Sequence, residues 1–94
     1  MSTHVVGFKP PDERWKQMKA ARDACAAAGV PLPDAVDRFF GFEPPDDAGV
    51  TIPEKQLIED GVVTEYNDRY RDGYEIHLDK VPKDVKIIRV YNLY

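Results

Sequence analysis

Helical and strand-forming patterns occupy different parts of this chain, and this segregation limits the fold more than any other feature. Residues 11–28 place apolar side chains three and four positions apart, which is the spacing of one helix face. Residues 74–78 alternate apolar and polar side chains, and residues 85–91 are rich in β-branched residues, so both segments are typical of strands. A chain that runs from helices to strands in this way is expected to form an α+β fold.

We therefore predict a single α+β domain spanning residues 1–94. It should contain a three- to four-stranded, mostly antiparallel sheet with two N-terminal helices packed on one face. The second helix should end at Gly41. A helical turn is expected over residues 54–60, where Thr51 and Glu54 match a capping box.

The strand assignments add a pairing and a core to this prediction. Residues 5–8 should form the first strand and pair with the last strand, residues 85–91. Because apolar residues fall on both faces of that last strand, we expect it to be central in the sheet. Residues 62–66 fit a strand, but the spacing of their valine and tyrosine residues fits a helix equally, so both alternatives stay open. We expect the core to include Trp15, Met18, Phe39, Ile76, Ile87, Ile88 and Val90.

The composition fits a folded, cytoplasmic protein. Of the 94 residues, 43% are hydrophobic and 11% aromatic, which is more than disordered chains usually carry. Cys25 is the single cysteine, so no internal disulfide can form. The first residues lack the basic start and apolar stretch of a signal peptide, and no apolar run approaches the length of a membrane span. We therefore expect a cytoplasmic location and no membrane partner.

The charge is distributed unevenly along the chain. The net charge of −4 argues against the basic surface that duplex DNA binding requires. Residues 43–60 hold six acidic side chains against Lys55 alone. We interpret this segment as a solvated region that favours solubility. The alternative is a surface that mimics nucleic-acid phosphates or meets a basic partner.

No residue pattern predicts catalysis, a metal or a cofactor. Cys25 falls on the apolar stripe of the predicted first helix, where a thiol behaves as a small packed hydrophobe. The two imidazoles, His4 and His77, are far from it in sequence, and His77 falls on the polar face of a predicted strand. One cysteine and two histidines are too few for a structural zinc site. We therefore predict no catalytic residues, no metal site and no cofactor.

A cluster of tyrosine and arginine is the best candidate for a binding surface. Both residue types are enriched at interfaces, where they supply rigid area and bidentate hydrogen bonds, and they can also sandwich a nucleobase. We expect a partner protein or a small nucleotide to bind here; in the nucleotide version the chain should form a homo-oligomer with the ligand at a subunit boundary. A loop whose tyrosines only cover the sheet is the competing structural interpretation. The candidate binding residues are Tyr66, Arg69, Tyr70, Arg71 and Tyr74.

Three segments carry a resemblance to a class of proteins. They are GFKPPDERW at residues 7–15, DACAAAG at 23–29 and VPKDVKIIR at 81–89, about a quarter of the chain. With these segments the chain resembles small uncharacterised proteins encoded in bacteriophages and prophages. The resemblance implies a non-catalytic protein that inhibits or sequesters a host factor, such as a defence enzyme or its nucleotide signal, in the host cytoplasm. The alternatives are an assembly accessory of a phage complex and, least favoured, a small enzyme. No site residues come with this resemblance.

Overall fold

The structure, a computed structural model, describes residues 2–94 and contains strands and helices in an α+β arrangement. The α+β class and the antiparallel pairing are confirmed. The described residues contain five strands, and these form two sheets instead of the expected single sheet. In chain order the elements are β1 (Ser2–Lys9), α1 (Glu13–Ala28), α2 (Asp34–Phe39), β2 (Val50–Ile52), α3 (Glu54–Glu59), β3 (Val63–Asn67), β4 (Asp72–Ile76), a 3₁₀ turn (Leu78–Lys80) and β5 (Ile87–Leu93).

Residues 11–50 form one compact unit, which contains α1 and α2. Helix α1 begins after Asp12, whose carboxylate accepts a hydrogen bond from the Trp15 amide at 2.8 Å. It ends at Gly29, which adopts a left-handed conformation with φ of 68° that suits a residue without a β-carbon. Trp15 is buried in this unit and meets the Phe40 ring edge to face at 6.0 Å between centroids.

Residues 2–10 and 51–94 form the second unit, which contains the strands β1, β3, β4 and β5 and most of β2. The three-stranded sheet has the order β2-β1-β5. Strand β1 runs antiparallel to β5, with Ser2 opposite Leu93 and Phe8 opposite Ile87. The expected pairing of the first strand with the last is therefore confirmed. Strands β3 and β4 form an antiparallel hairpin, so the segment that was open between strand and helix is a strand.

The core of this second unit lies where α3 packs on β1. Its fully buried members are Val5, Leu57, Val62 and Val63. Gly7 of β1 lies beside Leu57 of α3, since a β-carbon placed at Gly7 would lie 3.4 Å from Leu57 Cδ2, in van der Waals contact. Of the residues expected in the core, Trp15 is buried, whereas Met18, Phe39, Ile76 and Ile88 are only half-buried.

Three expectations from the sequence are wrong. Strand β5 lies at the edge of its sheet, and Ile87 and Val90 are therefore 44% and 55% exposed instead of buried. The capping box does not form, because α3 begins after Pro53 with no side-chain cap and Glu54 accepts the amide of Val5 at 3.0 Å instead. Cys25 is half-buried and not packed in the core.

None of the helices described within residues 2–94 has both the length and the apolar character that a membrane span requires.

Candidate functional site

The five candidate binding residues all fall on the β3–β4 hairpin. Tyr66 lies near the end of β3 and Tyr74 on β4, and residues 68–71, which we call the hairpin tip, connect the two strands. The last cross-strand pair is Asn67 with Asp72. A backbone hydrogen bond of 2.9 Å from the Asp68 amide to the Arg71 carbonyl closes the tip.

Asp68 organises the hairpin tip through both carboxylate oxygens. Its Oδ1 accepts the backbone amides of Tyr70 at 2.9 Å and of Arg71 at 2.7 Å. Its Oδ2 accepts the Tyr66 hydroxyl at 2.6 Å and the Arg71 guanidinium at 3.0 Å from Nε and 2.8 Å from Nη2. Aspartate is favoured at the start of a turn because its side chain can accept amides a few residues onward. The tip is thus held by its own side chains.

The protonation properties of the tip follow from these bonds. The Tyr66 hydroxyl, the Tyr70 amide and the Arg71 guanidinium lower the pKa of Asp68 to about 2. Each donor favours the charged carboxylate over its neutral form. Conversely, the hydrogen bond to Asp68 raises the pKa of the Tyr66 hydroxyl. The charged, locked form of the tip therefore persists across the physiological pH range.

The two arginines of the tip have different surroundings. Arg71 is held by Asp68, and its guanidinium carbon lies 5.9 Å from the centroid of the Tyr66 ring. Arg69 is exposed, and its guanidinium carbon lies 5.7 Å from the centroid of the Tyr70 ring. Tyr70 itself is 85% exposed. The side chains of Tyr66 and Arg71 thus hold the tip in place through Asp68. The side chains of Arg69 and Tyr70 project from the tip as a cation and an aromatic ring side by side.

Tyr74 belongs to a different surface of the hairpin. It pairs with Glu65 across the strands, whereas Tyr66 pairs with Gly73, so the two tyrosines lie on opposite faces. Tyr74 packs against the core formed around Val5 and Leu57. Burial, followed by the negative charges of Glu54 and Glu65, raises the pKa of its hydroxyl. For Tyr74 the structure supports the competing interpretation that the side chain covers the core.

An open groove of about 520 Å³ lies between the start of β1 and the hairpin. Among the described residues that line it, Glu65 and Asp72 carry carboxylates and none is a lysine, arginine or histidine. A phosphate-bearing ligand would meet the negative charge of these two side chains there. The residues that line it are Ser2, Thr3, Glu65, Tyr66, Asn67, Asp72, Gly73 and Tyr74.

Sequence reasoning did not identify Asp68 or the groove. The signal for Asp68 was available, since an aspartate two residues before Tyr70 at a hairpin turn is favourably placed to accept backbone amides. The groove depends on the meeting of Ser2 and Thr3 with residues more than 60 positions away, as the groove lining shows. No local pattern records that contact.

The imidazoles lie outside the hairpin tip. The ring of His4 stacks on Tyr91 at 5.5 Å, and its Nε2 lies 2.8 Å from Ser2 Oγ. Its Nδ1 lies 3.7 Å from a Glu54 carboxylate oxygen. His77 Nε2 lies 2.9 Å from Thr64 Oγ1. Throughout residues 2–94, no three histidine, cysteine or acidic side chains are grouped so that they could hold a metal ion.

Comparison with known proteins finds no matching family model, no matching curated protein and no matching solved structure.

Proposed function

We propose that this chain is a non-catalytic binding protein that contacts another protein through its hairpin tip. The observation that carries the proposal is the exposed Arg69–Tyr70 pair on a loop held by Asp68. Ordering a flexible loop on binding costs free energy, and a tip fixed in advance avoids much of that cost. Arginine and tyrosine are also the residue types that most often dominate interface energetics.

A protein partner fits the geometry better than a small nucleotide. Nucleotide sites are concave and carry cations or backbone amides for the phosphates. The tip is a projecting turn, and the described lining of the neighbouring groove includes the carboxylates of Glu65 and Asp72 but no basic side chain. The partner expected here has a carboxylate placed to pair with Arg69 and an apolar pocket that receives the Tyr70 ring.

The resemblance to phage and prophage proteins supports a biological role for this binding. We propose that the partner is a host protein, such as a defence factor, which the chain inhibits by occupying its surface. This role needs no catalytic group, because blocking requires only affinity and correct placement.

Affinity capture with matched variants tests the proposal. The tagged protein and a double variant, Arg69→Ala with Tyr70→Ala, are incubated with bacterial lysate, and bound proteins are quantified by mass spectrometry. The control double variant, Leu78→Ala with Lys80→Ala, also removes one cation and one large exposed side chain, but on the 3₁₀ turn.

The expected result is a partner retained by the wild type and the control and reduced about thirtyfold or more by the tip variant. Equal capture by all three proteins would show that the tip is not the contact surface. A nucleotide found in the purified protein by native mass spectrometry would favour the signal-sequestering alternative instead.

A further inference from the structure

Strand β5 presents an edge that lacks the usual protection against pairing. It lies at the end of the order β2-β1-β5, and within residues 2–94 no strand pairs with its outer side. Natural edge strands are commonly protected by lysine, proline, a bulge or short length. Strand β5 has seven residues and contains neither proline nor lysine. Its one charged side chain, Arg89, lies over the Phe8 ring of β1, with the guanidinium carbon 4.7 Å from the ring centroid.

The side chains of β5 are unusually exposed for apolar residues. Val90 is 55% exposed and Leu93 is 53% exposed, although these two side chains point to opposite faces of the strand. Tyr94, which follows the strand, is 98% exposed. An apolar surface that continues over both faces and the end of an edge strand is typical of an interaction site.

The backbone hydrogen bonds show which groups point to the open edge. The Val5 amide donates to Glu54 at 3.0 Å and therefore not to β5, so the pair of Val5 with Val90 is a non-hydrogen-bonded pair. In an antiparallel ladder such pairs alternate with hydrogen-bonded ones. The amides and carbonyls of Ile88, Val90 and Asn92 consequently point away from β1.

We propose that β5 pairs antiparallel with β5 of a second copy of this chain, about a two-fold axis at Val90. In that arrangement the outward-pointing amides and carbonyls of one β5 lie opposite their hydrogen-bond partners on the other β5. Val90 exchanges both backbone hydrogen bonds with Val90 of the other copy, and Ile88 does so with Asn92. The two three-stranded sheets become one continuous sheet.

The side chains of β5 are complementary to themselves in this register. Ile87 lies opposite Leu93 and Val90 lies opposite its own copy, so apolar side chains meet apolar side chains. Arg89 lies opposite Tyr91, so no like charges face each other directly. An antiparallel pair of identical strands is the isologous contact that a two-fold dimer requires.

The available area agrees with a small dimer interface. The exposed apolar and aromatic side chains of β5 and the following tyrosine amount to on the order of 500 Å² per copy, given the areas that such side chains carry. The exposed members are Ile87, Val90, Tyr91, Leu93 and Tyr94. Complete burial of this area on both copies would give about 1,000 Å², so the upper value for this interface is near the lower limit for a specific one.

Light scattering coupled to size-exclusion chromatography tests this dimer. At a protein concentration of about 100 µM, which suits an interface of this size, the wild type should have twice the mass of a single chain. Val90→Lys places two ammonium groups opposite each other and should raise the dimer dissociation constant about tenfold or more. Leu78→Lys adds the same charge at a residue that is 82% exposed on the 3₁₀ turn, and should leave the dimer intact. Circular dichroism verifies that both variants fold.

A monomeric wild type, or a Val90→Lys variant that dimerises like the wild type, would overturn the proposal. A disulfide test then checks the register directly. In a Cys25→Ser background, Val90→Cys should form an intermolecular disulfide under mild oxidation, because hydrogen-bonded partners lie about 5.5 Å apart between Cα atoms, within disulfide range. Leu78→Cys should not. Equal cross-linking at both positions would contradict the assigned axis. The dimer and the hairpin-tip function are independent, since neither Val90 nor Leu78 belongs to the tip.

Discussion

Replacing Leu57 by alanine examines the core of the strand-containing unit. Leu57 is 1% exposed and lies on the face of α3 that meets β1. Its neighbours in the core are Val5, Val62 and Val63, two of which belong to hydrogen-bonded strands. Strands fixed in a ladder cannot move far to fill the space that a truncated side chain leaves.

The expected loss of stability follows from this burial and rigidity. Truncation of a buried leucine to alanine costs about 2–5 kcal/mol as lost transfer free energy plus a cavity term that grows as the site fails to collapse. With rigid surroundings we expect the middle of that range, about 3–4 kcal/mol. Domains of this length have a free energy of unfolding of roughly 5–14 kcal/mol, so a large share of the total would be lost.

Urea denaturation followed by circular dichroism measures this change. With a slope of about 1–1.5 kcal/mol per molar for a small domain, the midpoint should fall by about 2–4 M. Ile58→Ala is the matched control, because Ile58 lies next to Leu57 on α3 but is 44% exposed. It should change stability by less than about 1 kcal/mol. Equal losses for the two variants would refute the assigned packing of α3.

Two further predictions concern the hairpin tip. The folded pKa of Asp68, about 2, lies below the unfolded value of about 3.9, so its carboxylate stabilises the fold above about pH 4 and loses that effect as the pH falls toward 2. The difference in urea unfolding midpoint between the wild type and Asp68→Asn should therefore become smaller as the pH falls from 5 to 2. A difference that stays constant over this range would contradict the charge-based role of Asp68. Arg71→Lys keeps the positive charge but loses the planar fork that Asp68 binds through two nitrogens, so amide hydrogen exchange at Tyr70 should become faster than in the wild type. Unchanged exchange would show that Asp68 holds the tip without Arg71.

Local chemistry explains why parts of the fold could be predicted from the sequence. Helix α1 carries its own boundaries, since Asp12 caps it and Gly29 ends it, and both signals act within a few residues. The pairing of β1 with β5 was predictable because these segments have strong strand patterns. The types of α1, β1 and β5 therefore followed from periodicity and propensity, whereas the type of β3 stayed open.

The position of β5 within its sheet could not be predicted, because strand order depends on contacts between distant residues. Apolar residues on both faces usually indicate a central strand, but here they lie on an exposed edge. Glu54 is a second case in which a contact between distant residues decides the structure. Its position after Thr51 matches a capping box, yet its carboxylate instead accepts a hydrogen bond from the amide of Val5, far away in sequence.

The candidate site likewise has a part that the sequence predicted and a part that it could not predict. Composition alone identified the tyrosines and arginines of the hairpin, but it treated Arg69 and Arg71 as equivalent. Their difference arises from Asp68, which binds one guanidinium and leaves the other beside the exposed Tyr70 ring. Only the turn geometry gives Arg71 a structural role in holding the tip and leaves Arg69 exposed, which is the basis of the contact role proposed for Arg69.

Site-specific photo-cross-linking tests the contact role of the tip most directly. A photoreactive phenylalanine derivative replaces Tyr70 in one protein and Leu78 in another, since both side chains are more than 80% exposed and lie in the same unit. After incubation with bacterial lysate and irradiation, covalent adducts are resolved by mass. The proposed function predicts a discrete protein adduct from position 70 and none from position 78. An adduct from position 78 alone, or the same adducts from both positions, would contradict the assignment of the hairpin tip as the binding surface.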